Sequence, residues 1–121
     1  MMGLFGKKKI KGKTAEEWFE LGLKEKDPKK KIEYYSKCLE LDLKNAVAWN
    51  NKGFALDELG RYEEAIRCYD TALGINPEDA IAWDNKIIAE EKLLKIEKMR
   101  RKVEQWKREG YKVDDLEEML K

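Results

Sequence analysis

Apolar and small residues recur along this chain at three- and four-residue intervals, and the stripes they form are cut at regular places. Ala48, Trp49, Lys52, Gly53 and Leu56 share one face of a helix. Gly60-Arg61 interrupts that helix, and Tyr62, Ala65, Ile66, Tyr69 and Leu73 then form a second stripe. Asn76-Pro77 closes it, because the residue before a proline is pushed out of helical geometry. Gly53 and Ala65 are small, so the two helices can approach closely. A similar pair of stripes comes earlier, Trp18, Leu21 and Gly22, then Ile32, Tyr35, Cys38 and Leu39, parted by Asp27-Pro28. From Ala80 to Glu109 there is neither glycine nor proline, and the pattern predicts one unbroken helix of about 30 residues and about 45 Å.

The stripes repeat. "AVAWNNK" (Ala46 to Lys52) returns as "AIAWDNK" (Ala80 to Lys86) 34 residues later, with five of the seven residues identical. The stretch from Trp49 through Gly53 and Leu56, then Ala65-x3-Tyr69, Ala72 and Pro77, resembles the tetratricopeptide repeat, whose period is about 34 and whose pattern is W-x2-L-G-x2-Y, A-x3-F, P. Lys52 stands for the leucine, Leu56 for the first tyrosine and Tyr69 for the phenylalanine. One full repeat is assigned to residues 46–79 and a shorter copy, with a clipped hairpin, to residues 14–45. The third copy starts faithfully at Ala80, but Ile87 takes the slot of Gly53 and Leu94 that of Gly60. A bulky side chain where helices must touch, and no glycine where the chain must turn, argue against a third hairpin.

The resemblance implies an all-α fold, a right-handed helical solenoid of two helix pairs with a long C-terminal capping helix and a short final helix. The expected organisation is a flexible basic tail over 1–13, the solenoid over 14–92 and a C-terminal extension over 93–121. It also implies a non-catalytic module whose first helices line a concave peptide-binding groove. Carried over by repeat register, that groove holds Phe19 and Leu23, then Val47, Asn50, Asn51, Phe54, Asp57 and Glu58, then Ile81, Asp84, Asn85, Ile88 and Glu91. Trp18, Trp49 and Trp83 are expected to be structural. Family members that grip acidic chaperone tails use a clamp of Lys, Asn and Arg side chains. The matching slots here are Phe19, Leu23, Asn51, Ile81 and Asn85, which fit that clamp poorly. With carboxylates and no cation expected in the groove, a basic or apolar protein or peptide partner is the better match.

Beyond the stack, Ile96, Met99, Val103 and Trp106 continue an apolar seam on an otherwise basic helix. Gly110 is a stop, and Asp114 and Asp115, each with Glu three residues on, predict the start of a short helix bearing Leu116, Met119 and Leu120. Either that helix folds back on the seam or a second chain covers it. Three apolar side chains are a small cover, so the expectation leans to self-association as a homodimer.

Composition changes this picture in two ways. The net charge of +1 conceals opposite blocks: +5 over residues 1–13, −6 over 14–92 and +2 over 93–121. Lys7, Lys8, Lys9, Lys11 and Lys13 beside Leu4 and Phe5 leave three readings open: contact with anionic membrane or nucleic acid, a solvated tail, or a tail lying in the acidic groove. Histidine is absent, and no glycine-rich phosphate loop occurs, so no enzyme, metal or cofactor is expected. Cys38 and Cys68 lack metal-ligand spacing and read as buried reduced thiols, with a disulfide or zinc site as the alternative. With no membrane span and no secretory signal, the expected location is cytoplasmic.

Overall fold

A computed structural model describes residues 6–121, and Met1–Phe5 lie outside the described residues. Among the described residues six helices follow one another: α1 Ala15–Lys24, α2 Pro28–Leu41, α3 Ala46–Glu58, α4 Tyr62–Ile75, α5 Ala80–Arg108 and α6 Asp114–Met119. Each packs on the next, and α3 also touches α5. The first four helices form two antiparallel pairs, and α5 closes the stack.

Local chemistry sets the helix starts. Thr14 and Glu17 form a reciprocal capping box at α1, in which each side chain satisfies a backbone N–H of the other end. Asp27 caps α2, with Pro28 in the first turn, where its missing N–H costs nothing. Asn45 caps α3 through the Ala48 N–H, and Asp79 caps α5 through those of Ile81 and Ala82. Gly60, at φ +75°, turns the chain between α3 and α4, while the N–H of Arg61 reaches back to the carbonyl of Leu56. Gly110, at φ +93°, ends α5 in the same way, with the Tyr111 N–H on the Trp106 carbonyl.

The two complete pairs share one crossing device. A Cβ built on Gly53 would meet the Tyr69 ring at 2.6 Å, and one on Gly22 would meet the Tyr35 ring at 2.5 Å. Each tyrosine ring of a second helix therefore lies directly against a glycine of the first. Trp49 touches all three buried clusters: Trp18–Tyr35–Cys38–Leu39–Ala48, Leu56–Ala65–Cys68–Tyr69–Ala89 and Ala72–Leu73–Ala82. The alanines among these are fully buried, which lets the helix axes come close.

In the third copy no such crossing exists. α5 runs unbroken through Ile87 and Leu94 for 29 residues, one residue short of the expected end. In its far half one side chain is buried, Val103 at 2% exposed, and the short C-terminal segment that comes back on α5 carries the buried Val113 and the half-buried Leu116 and Leu120. Arg100 donates to the Leu120 carbonyl at 3.0 Å, and Lys107 pairs with Glu117 at 2.8 Å. The seam residue Val103 is therefore already buried within the single chain. Met99 and Trp106 keep exposed surface. α6 starts at Val113 without a side-chain cap, so Asp114 and Asp115 act as first-turn acids and not as caps.

Candidate functional groove

The expected groove would draw on α1, α3 and α5, the first helices of the three copies. Each of their tryptophans ties down the segment leading into its own helix: Trp18 Nε1 donates to the Ile10 carbonyl, Trp49 to that of Leu43 and Trp83 to that of Pro77. These bonds fix the rotation of each first helix against the segment that leads into it.

Three apolar side chains fall at one repeat position. Leu23, Phe54 and Ile88 sit five residues after Trp18, Trp49 and Trp83, and they are 48%, 51% and 46% exposed. Val47 and Ile81 form a second exposed pair nearer the helix starts. An apolar ladder of this kind, held half open by a packed scaffold, is surface that a partner could bury.

The polar expectations divide. Asn50 is buried, and its side-chain oxygen accepts from the Asn85 amide at 3.1 Å, which links α3 to α5. Asp57 is buried as well, and Lys92 reaches it at 3.0 Å. Both pairs act as struts between first helices. Asn51 lies at the Tyr35 hydroxyl and opposes the upward push of burial on that phenol. Phe19 is half-buried and meets the Tyr35 ring at 5.9 Å between centroids, tilted by 55°. Glu58, Asp84 and Glu91 are exposed and have no ion pair among the described residues.

Lys92 corrects the expectation of a groove without a cation. Asp57, by hydrogen bonding and then by charge, holds the Lys92 ammonium above the ordinary lysine range. Sequence spacing concealed this contact, because Lys92 is not the repeat equivalent of Asp57 but lies one residue further on. The same one-residue offset joins Asn50 to Asn85.

The basic segment is anchored at its inner end. Ile10 and Lys13 exchange two backbone hydrogen bonds at 2.9 and 3.0 Å, and Ile10 packs against Trp18. Lys13 lies over the Trp18 ring, and Lys7 pairs with Glu16 at 3.1 Å. Lys8, Lys9 and Lys11 are exposed. Leu4 and Phe5, the apolar half of the membrane reading, lie outside the described residues. Cys38 and Cys68 are both free and buried, and burial pushes both thiols up. No described helix is long and apolar enough to cross a membrane.

A tetratricopeptide repeat profile matches residues 46–79, the segment that carries the full pattern and the glycine–tyrosine crossing. The chain belongs to the tetratricopeptide repeat family. An uncharacterized protein of Methanocaldococcus jannaschii is 42% identical over 60 residues, which is 47% of this chain and 70% of that protein. The tetratricopeptide repeat is a protein–protein interaction module, and in this chain its first helices carry the apolar ladder and the two polar struts.

Proposed function

We propose that the inner groove binds an extended peptide segment carrying apolar and basic residues. The rung of Leu23, Phe54 and Ile88 carries this reading, because three separate helices leave an apolar side chain half exposed at one repeat position. Val47 and Ile81 extend the apolar floor, while Glu58, Asp84 and Glu91 supply unpaired negative charge at its edge. Asn50, Asp57, Asn85 and Lys92 are the internal braces that hold α3 and α5 at a fixed spacing.

Selection from a random peptide library tests the reading. Apolar residues flanked by lysine or arginine are the expected outcome, and binding should vanish in a Phe54→Asp/Ile88→Asp variant whose melting is unchanged. Acidic selected sequences, or binding that survives the double substitution, would refute the proposal.

A further inference from the structure

A second unpartnered face lies on the outer side of α5, away from the groove. Trp83, Ile87 and Leu94 share it at helical spacing and are 44%, 49% and 47% exposed. In each complete repeat the corresponding face of the first helix is covered by the second helix, through the glycine–tyrosine crossing. Ile87 excludes that cover, since even a Cβ at Gly22 or Gly53 lies within 2.6 Å of a tyrosine ring. The occupant must therefore be a helix that packs side chain between side chains, not a standard second helix supplied from elsewhere.

The stripe continues as Trp83, Ile87, Glu90, Leu94, Lys98 and Arg101, and it complements its own reverse about Leu94. Glu90 stands four residues before Leu94 and Lys98 four after. Ile87 stands seven before and Arg101 seven after. Among the described residues Lys98 and Arg101 have no ion-pair partner, and Glu90 reaches only Lys86 at 3.9 Å, while Lys86 is held at 2.7 Å by Asp70. The seam that α6 partly covers is on the other side of the same helix, so this face is free of the fold-back.

We propose that α5 pairs antiparallel with α5 of a second copy through this outer face. Leu94 meets its counterpart at the two-fold axis, Glu90 faces the partner's Lys98, and the aliphatic stem of the partner's Arg101 covers Ile87. Each half of the stripe supplies what the other lacks, which is the requirement for a self-complementary two-fold contact. The charges also fix direction, since a parallel pair would set Glu90 against Glu90.

Sedimentation equilibrium of the full chain tests this, with far-UV circular dichroism as the check on folding. The wild type should be a dimer. Leu94→Asp should be a monomer of unchanged helicity, and Glu90→Lys should weaken the dimer by about tenfold or more. The combined Glu90→Lys/Lys98→Glu chain should recover dimerisation, because its swapped charges again oppose each other. A monomeric wild type at every concentration would overturn the proposal. A dimer indifferent to Leu94→Asp, or one dissolved by Met99→Asp instead, would also overturn it, as would a charge swap that fails to rescue Glu90→Lys.

Discussion

At the scale of single residues, the two crossing tyrosines differ in one atom's surroundings. Tyr35 and Tyr69 occupy equivalent positions and are both buried, yet Tyr35 has Asn51 at its hydroxyl while the Tyr69 hydroxyl has no partner. A buried unpaired hydroxyl carries a desolvation cost, whereas a paired one contributes net stability of about 1 kcal/mol. Tyr35→Phe should therefore lower stability by about 1 kcal/mol, and Tyr69→Phe should leave it unchanged or raise it, both read from urea denaturation. The same burial governs the alkaline response. Burial, then the charge of Asp57, raises the Tyr69 phenol, and burial raises both thiols. An unfolded chain loses these protons first, so stability is intact below the ordinary thiol pKa of about 8.5 and falls as pH climbs past it. Lys92 acts in the same direction, since its proton is held more tightly in the fold. Urea midpoints should be flat at neutral pH and decline on the alkaline side. A chain with both cysteines replaced by alanine should delay that onset toward the tyrosine range, at about pH 10.

At the scale of the elements, two helical glycines of one repeat make opposite predictions. Gly53 sits under Tyr69, and Gly53→Ala forces the ring away from a packed position, at a cost of about 1–3 kcal/mol. Gly74, in the last turn of α4, has open space at its Cβ, and Gly74→Ala should stabilise by about 0.5–1 kcal/mol through helix propensity. Thermal melts of the two variants should move apart, and a shared direction would deny the close crossing. The elements were readable in advance for the same reason. The small Gly53 and Ala65 at the crossing, Asn76-Pro77 at a helix end and the loss of both glycines after Ala80 are local consequences of backbone sterics, whereas the tyrosine that lies on each glycine came only with the structure. The groove was less readable. Register gives Leu23, Phe54 and Ile88 one repeat position and all three are about half exposed, but it cannot distinguish a side chain open to solvent from one consumed by a neighbouring helix. Asn50 and Asp57 are of the second kind, because the contact from α3 to α5 slips by one residue and recruits Asn85 and Lys92.

At the scale of the whole molecule, support along α5 is uneven. Its first half lies against α4, with Ala82 and Ala89 fully buried, while its second half extends past the stack and leans on α6. The overhang was legible from the length of the glycine-free stretch. Its cover was not, because Val113 precedes the short helix and was absent from the count of three apolar side chains weighed against the seam. Val103 and Val113 are both buried, Leu120 lies beside Val103, and two polar contacts, Arg100 with the Leu120 carbonyl and Lys107 with Glu117, tie the turn. Those polar contacts are solvent-exposed and contribute little, so the apolar cover is the main restraint on the far half of α5. Removing residues 110–121 should therefore strip amide protection from about Met99 onward, while α1 to α4 exchange as before and the main thermal transition stays in place. Val103→Asp should reproduce that pattern in the full-length chain. Loss of protection in α1–α4 on either change would mean that the C-terminal segment stabilises the whole stack and not its last helix alone.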